Sequence, residues 1–357
     1  MIRALLSDDP PKSRLLAALL VLILAGLAAA PFVFPGAAAL NTAAKICIFI
    51  VLVASYDILL GYTGIVSFAH TMFFGIGGYG VGLSLYFLGP GWPVVALGIV
   101  VALVIGVVLA LAVGLVSLRV KAIFFAMITL AVASAFMILT TQLSEFTGGE
   151  DGRTFRVPEL LRPTTRLFEE PFLGTAITGR VLAYYLVFLS AVALFLLALR
   201  LVNSCFGRVL QAIRENEMRA EALGYRVVYF RTMASCLSAA LAVMAGAMSA
   251  LWLRYTGPET TLSFAIMLDV LLMVVIGGTG TLYGAVIGAT LFILAQNYLQ
   301  KLMAMAAAAT EGIPLLPRLL HPDRWLLLLG VLFVLSIYFF PTGIAGKLAG
   351  RGRGPAA

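Results

Sequence analysis

Apolar residues come in blocks of about twenty, separated by short polar segments, over residues 15–34, 41–60, 65–88, 92–118, 122–143, 181–201, 232–254, 262–280, 283–303 and 325–341. A helix rising 1.5 Å per residue needs about 20 residues to cross roughly 30 Å of hydrocarbon. In lipid only helices and closed barrels satisfy their own backbone hydrogen bonds. The pattern therefore predicts an all-α integral membrane protein with about ten transmembrane helices. The first block follows Arg3, Lys12 and Arg14 and leads into no soluble mature domain, so it reads as a span and not as a secretion signal. The expected organisation is an N-terminal segment 1–14, a membrane domain 15–341 and a basic tail 342–357.

Composition narrows the class further. Of 357 residues, 62% are hydrophobic and 11% charged, against about 25% charged in soluble domains. This excludes an ordinary cytosolic enzyme, a disordered chain and a secreted disulfide scaffold. Cys47, Cys205, Cys236, His70 and His321 stand singly, without metal-ligand or CxxC spacing, so zinc, haem and disulfide chemistry find no support. The net charge of +8 does not mark nucleic-acid binding, because the basic residues sit in short segments beside apolar spans.

Those basic residues instead set an orientation. With the N-terminus inside and spans alternating, the inner segments carry Arg3, Lys12, Arg14, Arg119, Lys121, Arg200, Arg208, Arg214, Arg219, Arg226, Arg231, Lys347, Arg351 and Arg353. These are 14 of the 24 basic residues, and five acids join them; the outer segments hold ten basic residues and nine acids. Cytoplasmic loops are the ones enriched in Lys and Arg, so both termini are expected in the cytoplasm.

Two longer polar segments interrupt the pattern. Residues 144–180, of mixed charge with Pro158, Pro163 and Pro171, fall outside and are expected to cap an outer mouth or meet an external partner. Residues 203–231 fall inside. Between Cys205 and Gly224 the sequence reads CFGRVLQAIRENEMRAEALG, with Phe206, Val209, Leu210, Ile213, Ala220 and Leu223 at helical spacing among charges. This predicts a short amphipathic helix, either resting on lipid headgroups or serving as a docking surface. No GxxxxGK[ST] phosphate loop occurs, so a nucleotide-driven machine would need its ATPase from elsewhere.

Inside the apolar blocks, three features carry candidate chemistry. The run Gly61-Tyr62-Thr-Gly64-Ile-Val-Ser67-Phe-Ala-His70, continuing to Gly80, is too glycine-rich for an ordinary lipid-facing helix. It suits either a helix break lining a cavity or close packing through small residues. The run Gly277-Gly278-Thr-Gly280-Thr-Leu-Tyr-Gly284-Ala-Val-Ile-Gly288 spaces Gly280, Gly284 and Gly288 four apart, which predicts one helix face in contact or a joint. Asp57 and Asp269 are acids within spans, each costing about 2.5–3.5 kcal/mol at a helix centre, and need partners there. A faint internal repeat links Tyr62-Thr-Gly64 and Ser67-Phe68 to Tyr255-Thr-Gly257 and Ser263-Phe264 on opposite sides, as two inverted five-span halves require.

Three motifs in order, GYTGIVSFAHTMFFGIGGYG, GRVLQAIRENEMRAEALGYRV and VVIGGTGTLYGAVIGA, make residues 40–340 resemble the permease subunits of bacterial branched-chain amino-acid ABC importers of the kind called LivM. The resemblance implies that Arg208, Arg214, Glu215, Asn216, Glu217, Arg219, Glu221, Ala222 and Gly224 belong to a coupling segment entering a groove on an ATPase. It implies that the glycine clusters, with Gly61, Tyr62, Gly64, Ser67, His70, Gly277, Gly278 and Gly280, line the translocation path; Asp57 and Asp269 join them as candidates from their place within spans, where each could bind a substrate ammonium, relay protons or pair with a polar group. Implied partners are a second homologous permease, two cytoplasmic ATP-binding subunits and a periplasmic binding protein, in the bacterial inner membrane. ATP and magnesium would be bound by the partner subunits, and this chain would hold no cofactor and catalyse nothing. Similar permeases for urea or short amides use nearly the same route. An ion-coupled secondary transporter built on Asp57 or Asp269 leaves the amphipathic segment without a role, and an intramembrane enzyme finds no nucleophile–base pair.

Overall fold

The computed structural model describes residues 13–33, 36–117, 122–163, 165, 178–309, 324–339 and 343–348. The basic residues Arg3, Lys12, Arg119, Lys121, Arg351 and Arg353, together with His321, residues 166–177 and the end of the tail, lie outside the described residues. The long helices are α1 (Arg14–Val33), α2 (Ala37–Thr63), α3 (His70–Leu88), α4 (Trp92–Ser117) and α5 (Ala122–Gln142). A four-residue α6 (Ser144–Thr147) and strand β1 (Arg153–Thr154) lead to α7 (Gly179–Val202). Then come α8 (Cys205–Glu215), α9 (Glu217–Ala222), α10 (Val227–Leu253), β2 (Tyr255–Thr256) and the short α11 (Pro258–Thr261). The chain continues through α12 (Phe264–Gly277), α13 (Leu282–Ala309), α14 (Trp325–Phe339) and α15 (Gly343–Leu348).

Among the described residues nine helical stretches are long and apolar enough to cross a membrane, one of them joining α11 to α12, and they match the first nine predicted spans. The tenth is α14, about 22 Å long at 1.5 Å per residue. Gly343, after α14, packs on Gly278, before α13, so these two positions lie at one end of the bundle.

Helix α2 is the axis of the molecule, buried along most of its length and packed by α7, α10, α12 and α13. By contrast α1, α4 and α5 turn apolar side chains such as Leu22, Val104 and Met127 outward, as lipid-facing helices do. Helix α3 lies between α4 and α10, and α12 lies against α2 and α13. Exchanging α2, α3 and α4 for α10, α12 and α13 maps this set of contacts onto itself, with α2–α10 and α3–α12 meeting across the exchange axis. That is the arrangement an inverted repeat produces.

The ends sort into two faces. At one, α8 meets the end of α2 and the turn between α12 and α13, and α9 packs on α8 and α10. At the other, β1 pairs antiparallel with β2 through Arg153↔Thr256 and Thr154↔Tyr255, joining the 143–165 segment to the loop after α10. The 203–231 segment and the end of α2 thus share one face, and the 143–165 segment and the loop after α10 share the other.

Two elements differ from the predicted pattern. The amphipathic stretch is two helices, because Asn216 leaves the helical region at φ −157° and its side chain caps α9 by accepting from the Arg219 N–H at 2.9 Å. Gly280 does not share a helix face with Gly284 and Gly288: it sits in the α12–α13 turn at φ +79°, a left-handed conformation suited to glycine. Gly284 and Gly288 do pack closely on α12, at the carbonyls of Gly277 and Met273.

Candidate functional site

The face bearing α8 and α9 gathers most of the sequence-selected residues into one joint. Ser204 caps α8, whose Leu210 and Ile213 are fully buried while Arg208, Gln211 and Glu215 face out. On α9 only Ala220 is buried; Arg219, Glu221 and Ala222 are exposed, as is Met218, at 81%, with Leu223 just beyond the helix at 72%. Large apolar side chains this exposed among charges mark a surface suited to a protein partner or to a membrane. Gly224, at φ +89°, turns the chain back into α10. Glu217 is held by Arg231 of α10 at 2.8 and 3.0 Å, which pins α9 to that helix.

Arg214 points inward from α8. Its guanidinium donates to the carbonyl of Gly61, one of the last carbonyls of α2, which have no partner within the helix. A positive charge there also complements the helix dipole. Asp57, one turn earlier on α2, accepts from the Gly280 N–H at 2.8 Å. Gly61 makes this approach feasible, since a Cβ on it would overlap both the Asp57 carboxylate and the Gly280 nitrogen. Gly64 ends α2 at φ +73° and lies under the Arg214 side chain. Asp57, Gly61, Gly64, Arg214 and Gly280 therefore form one cluster. Gly277 and Gly278 adjoin it, pressed against Gly343 of α15.

His70 belongs elsewhere. Residues 64–69 are non-helical and run back beside α2, so that α3 begins level with Ser55, about 12 Å up α2 from Thr63. His70 Nε2 lies 2.8 Å from Ser55 Oγ, and the Ser55 hydroxyl donates to the Leu52 carbonyl at 2.7 Å. Nε2 is therefore the donor in the His70–Ser55 bond. Ser238 of α10 adds a bond to the Ser55 carbonyl at 2.5 Å, tying three helices at the core. Tyr62 and Ser67 are buried on either side of the break.

The break has a counterpart. Helix α12 starts only at Phe264, beside Gly75 of α3, where Leu262 packs. The rings of Phe68 and Phe264 meet with centroids 6.0 Å apart. These are the corresponding positions of the internal repeat, so the two halves touch at their matched breaks, on a face that leaves Phe264 exposed. The Phe68 N–H is anchored to Thr129 of α5 at 3.1 Å.

Asp269 lies apart from Asp57, in a group the sequence pattern missed. Lys45, near the start of the predicted span 41–60, sits two turns inside α2. Its Nζ donates to Gln296 Oε1 of α13 at 2.9 Å, and Gln296 Nε2 reaches Asp269 Oδ2 at 3.5 Å. A lysine within an apolar run, and a glutamine–asparagine pair within another, were the available signals. Among the described residues no three His, Cys, Asp or Glu side chains gather as metal ligands do.

A family model described as branched-chain amino acid transport system / permease component matches residues 38–337. The chain is 28% identical over 295 residues to the high-affinity branched-chain amino acid transport system permease protein LivM of Escherichia coli, covering 77% of this chain and 67% of that protein. It is 26% identical over 253 residues to the probable branched-chain amino acid transport permease protein LivM of Methanocaldococcus jannaschii, covering 70% and 68%. It is also 24% identical over 298 residues to the permease protein LivH of Escherichia coli, covering 82% and 89%. No solved structure matches the chain. The match across nearly the whole membrane bundle, on a chain of apolar helices with an outward-facing helical joint, places this multi-pass membrane protein in the branched-chain amino acid transport permease family.

Proposed function

We propose that this chain is the permease subunit of an ATP-driven importer for branched-chain amino acids. It shares the translocation path with a second homologous permease, takes work from two cytoplasmic ATP-hydrolysing subunits, and receives substrate from a periplasmic binding protein at the bacterial inner membrane. Similarity to both LivM and LivH proteins supports a paired permease. The observation that carries the reading is the α8–α9 joint: exposed Met218 and Leu223 offer a partner surface, and Arg214 links that surface to the ends of α2 and the α12–α13 turn. Arg200, Arg208, Arg214, Arg219, Arg226, Arg231 and Lys347 share this face, which supports its lying in the cytoplasm with both termini. A rigid lever of this kind can rock two helix bundles between outward and inward openings.

The test is co-purification of the tagged chain in mild detergent, followed by ATPase and proteoliposome uptake assays with binding proteins loaded with leucine or urea. Associated ATPase activity and leucine uptake, both stimulated by the leucine-loaded protein, are expected. Stimulation by the urea-loaded protein alone would move the substrate to urea. Uptake that persists without ATP but follows an ion gradient would replace the importer with a secondary transporter.

A further inference from the structure

The polar side chains of α2 do not stop at the membrane surface. At its outer end Asn41 accepts from Arg180 at 3.1 Å, beside a cavity of about 170 Å³ that these two line together with Trp252 and Arg254. Next, Thr42 Oγ1 accepts from Asn297 at 3.2 Å. One turn deeper, Lys45 and Asp269 are joined only through Gln296, at 2.9 and 3.5 Å. Among the described residues no direct ion pair links the two charges. All three members of the triad remain partly exposed in the chain taken alone. A lysine and an aspartate are both costly against hydrocarbon, so this stretch of surface is unsuited to lipid.

The bridging amide has a specific chemistry. Its oxygen accepts from a cation and its NH₂ donates to an anion. An α-amino acid head offers the same two complements, a carboxylate for Lys45 and an ammonium for Asp269, so that each contact joins two opposite charges where the amide offers a charge only a neutral partner. Urea and simple amides carry neither charge and would gain nothing over Gln296. Asn41, Thr42 and Lys45 succeed one another along α2, each in a polar contact with another helix, through Arg180, Asn297 and Gln296 respectively. We propose that Lys45 and Asp269 form a zwitterion-binding station of the translocation path, where the head group of an α-amino acid displaces the Gln296 amide. The site rests on the importer reading above and narrows its substrate class.

The test uses the assembled transporter with its binding protein in proteoliposomes, measuring L-leucine uptake and ATP hydrolysis together. Lys45→Met and Asp269→Asn are each expected to lower leucine uptake at least tenfold, while the subunits still co-purify as in wild type. Gln296→Leu, which keeps both charges, is expected to retain uptake. The exchange Lys45→Asp with Asp269→Lys preserves an opposite pair but reverses the head-group orientation, and is expected not to restore uptake. Uptake within twofold of wild type in either neutral variant, or its recovery in the exchange, overturns the site. So does loss of assembly in Gln296→Leu alongside the neutral variants, which makes the triad a brace between α2, α12 and α13. A wild-type complex that takes up no leucine refutes the importer reading, and the site with it. A wild type that transports equally with its variants refutes the site alone.

Discussion

Replacing Arg214 with alanine removes one charge-assisted hydrogen bond to the Gly61 carbonyl and one cation from the C-terminal end of α2. Hydrogen bonds to charged groups contribute about 1.5–3 kcal/mol, and a cation at a helix C-terminus about 0.3–1 kcal/mol. Arg214 is exposed along part of its length, so about 2 kcal/mol is a fair total. At 1.4 kcal/mol per tenfold, the linked arrangement of α8, α2 and the α12–α13 turn loses roughly a factor of thirty against unlinked ones. Helix α8 itself should stay folded and docked, because buried Leu210 and Ile213 contribute about 1.5–3 kcal/mol each and the Glu217–Arg231 pair is untouched. The ATPase should therefore still co-purify and turn over. What fails is transmission: ATP hydrolysed per leucine taken up should rise about tenfold or more, with faster amide exchange at residues 278–282. Arg214→Lys should fall between, since an ammonium can reach one carbonyl but lacks the span of the guanidinium. An unchanged ATP-to-leucine ratio in Arg214→Ala, with normal assembly, would refute the lever.

Three other substitutions probe the same framework. Gly61→Ala places a Cβ into Asp57 and the Gly280 backbone, and should cost about 1–3 kcal/mol, read as a lower thermal midpoint in detergent; a wild-type midpoint would show that α2 and the turn are not in contact. Ser55→Ala leaves His70 Nε2–H without its acceptor in a fully buried place, and should destabilise by about 1–3 kcal/mol in the same assay, whereas an unchanged midpoint would mean that His70 finds another partner. Glu221→Arg reverses a charge on the exposed surface of α9 without touching the bundle, so inserted protein should remain while ATPase co-purification drops at least tenfold; normal co-purification would move the docking surface off α9.

Nine spans were legible because lipid imposes a length and an apolar requirement on every crossing, while the block at 325–341 holds a helix, α14, shorter than those nine. The amphipathic segment was legible from its 3.6-residue period, but the period does not reveal a helix break, and Asn216 reads in sequence as one more polar residue. The repeat rested on a handful of matched residues, yet it marked the two breaks that meet at Phe68 and Phe264. The joint at Arg214 was half visible. Its residues were chosen for facing an ATPase, while the structure turns Arg214 toward α2, a tertiary contact between positions 153 residues apart that no local pattern encodes. Lys45 was missed for a different reason. Near the start of a span, a lysine looks like an interfacial anchor until the length of α2, which begins at Ala37, puts it inside.

The central position of α2 bears on how the chain is made. In the finished protein it is screened from lipid by α7, α10, α12 and α13, all synthesised after it. Until they arrive it must lie in the bilayer carrying Lys45 and Asp57. The ten residues Ile46, Ile48, Phe49, Ile50, Val51, Leu52, Val53, Ile58, Leu59 and Leu60 favour insertion by about 0.3–0.6 kcal/mol each. Their sum nearly balances two charges at about 2.5–3.5 kcal/mol each. Residue 253, the end of α10, emerges 190 residues after Thr63, which at 5–20 residues per second is roughly 10–40 s later. During that interval the future axis of the bundle is only marginally membrane-soluble, and its retention depends on neighbours such as α1 or on the insertion machinery.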